Sequence, residues 1–258
     1  MIYVGIPSFD EAQTVGLVLW KIRQVFTEFP REYQLLVVDD GSTDRTVETL
    51  EGYSRVLPLT VLRHEQRKGY ARSVELLLRT ALARIDRPKR DGIVLMHADF
   101  RHPPAVLPDP VKGIASGADL VVAEGTLTGE PSRGLRMVRR FAPMLLKRGV
   151  RIPGVKDTVS GCLAVRLATV QQAYADQVGD WLGTDGWAGS AELLARLAAE
   201  ARRISTVDAV ERNDLRERAS RQDPWPLARS LWRDGGLIRV PRHVPPSPAG
   251  KPPRQRPR

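Results

Sequence analysis

Residues 35–44 have the sequence LLVVDDGSTD, in which four apolar residues end at two aspartates, a glycine and a short polar turn. An apolar run without polar alternation is typical of a strand that is buried on both faces of a parallel sheet. The Asp-Asp-Gly-Ser turn follows the carboxyl end of that strand, which is where open parallel sheets bind their ligands. This stretch therefore predicts both the fold class and the edge of the sheet that carries function.

The same pattern recurs before and after this stretch. Apolar residues at helical spacing run from Val15 to Phe26, and residues 69–84 are predicted to form another helix. Further apolar strands are predicted at Ile2–Pro7, Leu59–Leu62, Ile93–Met96 and Asp119–Ala123. The alternation of strands and helices predicts an α/β fold, with a mostly parallel central sheet and helices on both faces.

The second half of the chain is less regular. We expect a basic helix over residues 133–151, a short strand over Asp157–Arg166 and a helix over Glu192–Arg203. Residues 223–240 are predicted to form an amphipathic helix, which either lies at a membrane interface or closes over the core. From Pro241 the composition collapses to Pro, Arg, Lys and Gly, so residues 241–258 are predicted to be a disordered basic tail.

The composition narrows the class of protein. Cys162 is the only cysteine, which excludes an intrachain disulfide and a multi-cysteine zinc site. Strand-like residues follow Met1 directly and no uncharged apolar run approaches roughly 18 residues, so we expect a soluble, cytoplasmic protein. The net charge of +10 favours an anionic partner. Charge alone does not distinguish among nucleic acid, acidic lipid and a phosphorylated substrate.

Three polar clusters follow predicted strands at Pro7–Glu11, Asp39–Asp44 and His97–His102. Because parallel strands end at one edge of a sheet, we expect these clusters to converge there. Their carboxylates could accept hydrogen bonds from a base or ribose, and one could hold a hard cation against a diphosphate. A single cluster is explained equally well by a helix cap or a turn, but three in order favour a shared site.

These residues resemble the family 2 glycosyltransferases, which have the GT-A fold. Residues 7–11 and 38–46 look like the opening of that family, and residues 68–72 match its Gly-rich stretch. Residues 97–104 occupy the place of its Asp-Ala-Asp-x-Gln-His-Pro-Pro element. Residues 157–162 and 192–194 are similar to later elements of the polyprenyl-phosphate (dolichol-phosphate) mannosyltransferase branch. The resemblance covers about residues 2–222 and implies that residues 1–222 form a GT-A catalytic domain.

The resemblance implies an inverting transferase that moves a hexose from a GDP- or UDP-linked sugar to polyprenyl phosphate. It implies that Asp99 binds Mg²⁺ or Mn²⁺, and that this cation neutralises the charge of the departing nucleoside diphosphate. Contacts with the nucleotide sugar are implied for residues at the strand ends and in the Gly-rich stretch: Pro7, Phe9, Glu11, Asp40, Lys68, Gly69, His97, Ala98, Asp99 and Arg101.

Two positions depart from the family pattern. His97 replaces the first aspartate of the metal element, and Arg101 replaces its glutamine. His97 either coordinates the cation beside Asp99, donates a hydrogen bond to the ribose or bonds a neighbouring carbonyl. Arg101 could clamp a phosphate, because its planar fork matches that geometry. A non-catalytic nucleotide-binding relative remains an alternative.

The acceptor decides whether a general base is required. A polyprenyl phosphate is already largely ionised at pH 7 and needs positive charge to hold it, so Arg136, Arg140, Ser160 and Arg216 are the acceptor candidates. Apolar residues between the arginines of 133–151 could rest against lipid at the inner face of the cell membrane, or simply pack on the sheet. A saccharide or small-molecule hydroxyl would instead need a base, for which Asp185 is the candidate unless it is a turn residue. No nucleic-acid partner is expected.

Overall fold

The computed structural model describes residues 1–128, 133–146, 150, 152–212 and 224–238. The strands within these ranges are β1 (Ile2–Ser8), β2 (Tyr33–Asp39), β3 (Leu59–Arg63), β4 (Gly92–Leu95), β5 (Leu120–Thr128), β6 (Leu163–Arg166) and β7 (Ile204–Arg212). The helices are α1 (Val15–Glu28), α2 (Thr46–Ser54), α3 (Tyr70–Ala83), α4 (Pro108–Ala115), α5 (Arg133–Leu145), α6 (Leu167–Ala173), α7 (Gly186–Glu200) and α8 (Pro224–Gly235).

The strands form one sheet in the order β3-β2-β1-β4-β6-β5-β7. β1 pairs in parallel with β2 and β4, β2 pairs in parallel with β3, and β5 pairs in parallel with β7. β6 runs antiparallel to both of its neighbours, β4 and β5. The prediction of a mostly parallel α/β sheet is confirmed.

The apolar stretch of β2 is buried on both faces of the sheet, as its sequence predicts. Leu36 and Val38 join an apolar cluster on one face, whereas Leu35 and Val37 join a second cluster on the other. Buried residues of α3, α5, α6, α7 and α8 complete the first cluster, and those of α1, α2 and α4 complete the second. The side-chain period of two within a strand makes this double burial possible.

Several boundaries differ from the sequence prediction. A strand over Asp157–Arg166 is wrong for its first part, because the Asp157 carboxylate accepts hydrogen bonds from the backbone N–H groups of Val159 and Ser160 and closes a turn. Gly161 then adopts a φ of 71°, so extended pairing begins only at Leu163. α7 begins at Gly186 rather than at Glu192, and α5 ends at Leu145 rather than at residue 151.

α4, α6 and β7 are elements that the sequence pattern did not predict. The amphipathic helix predicted within 223–240 is present as α8, which packs on α5 and α7. Across the described ranges, no helix is both long enough and apolar enough to cross a bilayer. The predicted disordered tail, residues 241–258, lies outside the described residues.

Candidate functional site

The loops after β1 and β2 are bonded to each other at the carboxyl edge of the sheet. Asp10, at a φ of 51°, donates its backbone N–H to Ser42 Oγ at 2.8 Å, and its carboxylate accepts the N–H of Thr43 at 2.8 Å. The backbone N–H of Glu11 donates to Thr46 Oγ1 at 2.8 Å. Because β4 is the other neighbour of β1, its loop lies beside these two, and the three predicted clusters occupy one rim.

Asp40 is buried and holds the segment between β3 and α3 against this rim. Its Oδ1 lies 2.8 Å from His64 Nδ1 and accepts the backbone N–H of Lys68 at 2.8 Å, while Oδ2 accepts the N–H of Gly69 at 2.9 Å. Gly41 lies beneath the same segment, and a Cβ there would come within 2.8 Å of the Arg67 nitrogen. Asp40 therefore fixes the position of the Gly-rich stretch, including the predicted contacts Lys68 and Gly69.

Other predicted nucleotide contacts line the start of the rim. Pro7 lies in β1 opposite Val38, and the Phe9 ring lies under the guanidinium of Arg67 at 4.2 Å. The Glu11 carboxylate accepts the hydroxyl of Thr14 at 2.8 Å. Arg67 and Lys68 are exposed, so this end of the rim presents positive charge to solvent.

Asp185 also contacts Gly69 and the start of α3. Its Oδ1 accepts the backbone N–H of Ala71 at 2.8 Å, at the start of α3, and its Oδ2 occupies the space that a Cβ on Gly69 would need. Gly69 has a φ of 93°, a conformation that favours glycine as well. The structure thus brings Asp40, Gly69 and Asp185 together from three distant parts of the chain.

The segment that carries Asp185 is anchored by two buried carboxylates. Glu75 of α3 accepts the N–H of Leu182 at 2.6 Å, and Glu192 of α7 accepts the N–H groups of Gly183 and Thr184 at 3.0 Å each. Both carboxylates are also bonded to arginines, Glu75 to Arg72 and Glu192 to Arg196. Asp185 is exposed at the end of this rigid segment. Glu75 had no signal in the sequence beyond its place in a predicted helix.

His97 follows β4 and is packed against Gly161 and Tyr70. Its Nε2 lies 2.8 Å from the carbonyl oxygen of Ser160, and its ring stacks on Tyr70 with centroids 5.8 Å apart. A Cβ on Gly161 would lie 2.8 Å from that nitrogen, so glycine is required for this contact. Burial raises the pKa of Tyr70 to about 12. Of the three roles that the sequence allows for His97, the structure therefore shows the bond to a neighbouring carbonyl, which occupies Nε2.

Asp99 is paired with Arg101 in the loop after β4. Its Oδ1 accepts the backbone N–H of Arg101 at 3.1 Å, and its Oδ2 lies 3.4 Å from the guanidinium. Arg101 also lies 3.3 Å from Glu211 of β7 and is buried, so its charge is shared by two carboxylates. Ala98, between His97 and Asp99, is buried in the core.

Arg139 of α5 extends this buried network to the turn that precedes β6. Its guanidinium bonds both Glu211 and Asp157, and Asp157 in turn accepts the backbone N–H of Ser160 at 3.1 Å. The Ser160 hydroxyl donates to the carbonyl of Ala123 at 3.3 Å. Neither Arg139 nor Glu211 stood out in the sequence, because one is among many arginines of its helix and the other lies in an unpredicted strand.

A polar cleft of about 300 Å³ opens beside this network, lined by both acidic and basic groups: Glu124, Gly125, Thr126, Arg139, Lys156, Asp157, Thr158, Val159 and Asp208. Among the predicted acceptor residues, Ser160 therefore lies near the rim, through its contacts with His97 and Asp157. Arg136 and Arg140 instead lie on the exposed side of α5. Arg216 lies outside the described residues.

Asp99 is suited to a cation that takes its other ligands from a bound diphosphate. Its side chain is 16% exposed, and a carboxylate oxygen is the ligand that Mg²⁺ and Mn²⁺ prefer. In the described part of the chain, no group of three or more His, Cys, Asp and Glu side chains could hold a metal ion by itself.

Solved structures confirm the GT-A fold. The chain aligns with the Mycobacterium tuberculosis glucosyl-3-phosphoglycerate synthase in complex with Mn²⁺, UDP and glucosyl-3-phosphoglycerate, with a TM-score of 0.61 and 22% identity, over 93% of this chain and 81% of that one. It also aligns with S. aureus TarS in complex with UDP, with a TM-score of 0.57 and 18% identity, over 90% of this chain and 64% of that one. At these identities the likeness shows the fold alone.

Sequence relatives lie in the branch that the motifs resemble. The chain is 28% identical over 187 residues to the dolichol-phosphate mannosyltransferase of Pyrococcus furiosus, covering 68% of this chain and 49% of that protein. It is 25% identical over 161 residues to the undecaprenyl-phosphate 4-deoxy-4-formamido-L-arabinose transferase of Pseudomonas fluorescens, covering 62% and 44%. The chain thus spans about half the length of these curated relatives or less.

The model of one protein family matches residues 3–172, which is more than half of the chain. The match contains the strand ends with Asp40 and Asp99 and the Gly-rich stretch, and it stops before Asp185. The chain belongs to glycosyl transferase family 2.

Proposed function

We propose that this protein is an inverting glycosyltransferase that moves a hexose from a GDP- or UDP-linked sugar to polyprenyl phosphate. The observation that carries the proposal is the rim on which Asp40 holds Lys68 and Gly69 beside Asp185, next to the loop of Asp99. The relatives, a dolichol-phosphate mannosyltransferase and an undecaprenyl-phosphate sugar transferase, support polyprenyl phosphate as the acceptor.

On the donor side, Pro7, Phe9 and Glu11 line the part of the rim proposed for the base and ribose, and Asp40 keeps the Gly-rich stretch in place. Asp99 would hold a divalent cation, Mg²⁺ or Mn²⁺, together with the donor diphosphate; His97 is the second proposed ligand. Such a cation, when bound, offsets the negative charge that develops on the departing nucleoside diphosphate. Arg101 keeps the Asp99 carboxylate oriented by its ion pair and its backbone N–H.

On the acceptor side, a phosphate oxygen attacks the anomeric carbon of the hexose, and the bond from that carbon to the donor diphosphate breaks. Direct in-line attack inverts the configuration. The attacking phosphate is already ionised, so no proton has to be removed. Ser160, Arg136, Arg140 and Arg216 are the proposed phosphate contacts. The prenyl chain would be anchored in a membrane, so we place the protein at the inner face of the cell membrane as a peripheral protein of the cytoplasm.

A second candidate is a family 2 transferase that acts on a saccharide or small-molecule hydroxyl. The exposed Asp185 carboxylate on its rigid segment favours it, because a general base has to be held beside the attacking hydroxyl. Substitution Asp185→Asn separates the two acceptors. Attack by a hydroxyl should collapse in this variant, whereas attack by a phosphate should continue. Nucleotide binding without any turnover would support the third candidate, a non-catalytic relative.

The metal assignment is tested with Asp99→Ala. We expect turnover to fall by roughly 10²- to 10³-fold, because several kcal/mol of charge stabilisation are lost. We also expect Mn²⁺ to stop increasing the thermal stabilisation that GDP or UDP gives to the native protein. The measurement is thermal unfolding with each nucleotide, with and without Mn²⁺, with RNA as a comparison ligand.

Asp109→Ala is the matched control, because Asp109 is an exposed aspartate of α4. It should keep both turnover and the response to Mn²⁺. Wild-type turnover in Asp99→Ala, or an unchanged effect of Mn²⁺ on its nucleotide binding, would remove the assignment of Asp99 to the cation.

A further inference from the structure

α5 and α8 form a pair of packed helices on one face of the sheet. Leu231 and Ile238, in α8 and just after it, are buried in the same apolar cluster as Val138 and Ala142 of α5. A Cβ on Gly235 would lie 2.7 Å from the Leu146 Cα, so the backbone at the end of α8 touches the backbone just after α5. Each helix therefore has one side fixed in the core and one side turned outward.

The outward side of α5 is strongly apolar as well as basic. Met137, Phe141 and Met144, spaced by four and three residues, are 59%, 41% and 63% exposed. This spacing puts them on one stripe of the helix. Arg136 and Arg140, four residues apart, are exposed in a neighbouring row of the helix, and the helix contains no acidic residue. Large apolar side chains gathered on a surface mark an interaction site more often than isolated ones do.

The outward side of α8 has the same character. Trp225 and Trp232, seven residues apart, are 83% and 61% exposed, and Leu237 follows at 62%. Arg229 and Arg233 are exposed between and beside the tryptophans. Asp234, the one acidic residue of the helix, is bonded to Arg233 and Ser230.

We propose that the outward side of the α5–α8 pair docks on an anionic phospholipid membrane. Apolar side chains with arginines around them match the acyl boundary and the charged headgroups of such a surface at the same time. Tryptophan is enriched at this depth because its ring is amphipathic. A protein partner would need acidic residues placed opposite the exposed arginines in order to neutralise them. Anionic headgroups supply negative charge over the whole membrane surface, so they neutralise the arginines wherever these lie.

This inference deepens the proposed function, because it names the surface that would bring the rim to a prenyl chain. Docking itself needs no sugar transfer, so the two ideas fail separately. If the wild-type protein binds vesicles but transfers no sugar to polyprenyl phosphate, that result would contradict the proposed acceptor and still support the docking surface.

The test measures co-sedimentation of the full chain with two kinds of vesicle, phosphatidylcholine alone and phosphatidylcholine mixed with phosphatidylglycerol. We expect roughly tenfold or tighter binding to the anionic vesicles, with weakening between ~0.1 M and ~0.5 M salt. Met137→Ser with Met144→Ser, and separately Arg229→Gln with Arg233→Gln, should each weaken anionic binding by roughly tenfold.

Matched double variants elsewhere on the surface control for general losses of apolar area and charge. Val56→Ser with Val178→Ser removes two exposed apolar side chains, and Arg23→Gln with Arg55→Gln removes two exposed arginines. Both should bind like the wild type. Activity on a short-chain, water-soluble phosphate acceptor should be retained in the methionine variant, which shows that it is folded.

Equal binding of the wild type and the methionine variant to anionic vesicles, including no binding by either, would overturn the proposal. If the methionine variant also changes its oligomeric state, measured by analytical ultracentrifugation, a second copy of the chain covers this surface instead.

Discussion

At the scale of single residues, the rim depends on carboxylates that position backbone. Asp40 accepts three hydrogen bonds from the segment over Gly41, and Asp185 accepts the backbone N–H of Ala71 in the first turn of α3. Gly69 lies between them because a side chain there would displace Asp185. We therefore expect Asp40 to influence nucleotide binding first through the segment that it holds.

Substitution Asp40→Ala should destabilise the protein as well as weaken nucleotide binding. It leaves the amides of Lys68 and Gly69 and the ring of His64 without their acceptor, which costs about 2 kcal/mol. Affinity for GDP or UDP should fall even without divalent cation, because the Gly-rich stretch loosens. Urea unfolding and nucleotide titration measure the two effects.

Glu65→Ala is the control, since Glu65 is an exposed carboxylate of the same segment. It should leave both stability and affinity near the wild-type values. Unaltered stability and affinity in Asp40→Ala would mean that the hydrogen bonds of Asp40 contribute nothing to the rim.

The sequence predicts those site residues that lie at the end of a recognisable strand or at the start of a recognisable helix. Asp40, Gly69 and Asp99 are recognisable because each directly follows or precedes a strong strand or helix pattern. The supports are different: Glu75 bonds Leu182, and Arg101 is paired with Glu211, across more than a hundred residues. No local pattern of charge or hydrophobicity predicts a partner so far away in the sequence. These supporting bonds are therefore seen only in the folded structure.

At the scale of elements, prediction succeeded where an apolar pattern was continuous and failed where it was short or half-exposed. β2 is buried on both faces and was recognised at once. Among the strands that the structure describes, β7 pairs only with β5, at the end of the sheet. Its alternating residues include the exposed Thr206 and Asp208, so no apolar run marks it. α4 and α6 span only 8 and 7 residues, too few for a clear helical period.

The attachment of α8 to α5 can be tested at two adjacent glycines. Gly235→Ala places a Cβ 2.7 Å from Leu146 Cα and 2.9 Å from its carbonyl oxygen, whereas a Cβ on Gly236 meets its nearest atom at 3.5 Å. Overpacking of this kind costs roughly 1–3 kcal/mol. We expect faster hydrogen exchange of α8 amides in Gly235→Ala.

Gly236→Ala should exchange like the wild type, because its new methyl group meets only ordinary van der Waals contact. If the two variants exchange alike, close contact at Gly235 is not what holds α8 on α5.

At the scale of the whole molecule, a chain of buried charges joins distant parts of the sheet. It runs from Asp99 through Arg101 and Glu211 to Arg139 and Asp157, and so connects the loop after β4, β7, α5 and the turn before β6. Removing one member of such a network leaves its partner charged and buried, which is why these groups act on the stability of the whole fold.

His102 lies beside this network and makes the stability depend on pH. Burial, together with the neighbouring His97, Arg101 and Arg139 side chains, lowers the pKa of His102 to about 3, from about 6.5 in an unfolded chain. The unfolded state therefore binds the proton first, so the contribution of neutral His102 is complete above pH 6.5 and is lost as the pH falls towards 3. Between pH 7 and pH 5, protonation of this group in the unfolded state should lower the free energy of unfolding by about 2 kcal/mol.

Substitution His102→Gln removes that contribution while the carboxylates titrate as before. Urea unfolding at several pH values should give a stability curve that is flatter for the variant than for the wild type below pH 6.5, and parallel to it above pH 7. Parallel curves over the whole range would show that His102 is not held neutral in the folded protein.

The position of β6 between β4 and β5 has a consequence for synthesis on the ribosome. The half-sheet of β1 to β4 can assemble as soon as Leu95 emerges, but β5 then has no neighbour, because both of its partners, β6 and β7, come later in the chain. Until Leu163–Arg166 is made, β4 keeps a bare edge that other nascent chains can pair with. We therefore expect the growing polypeptide to need protection by a chaperone during the interval between the synthesis of β4 and that of β6.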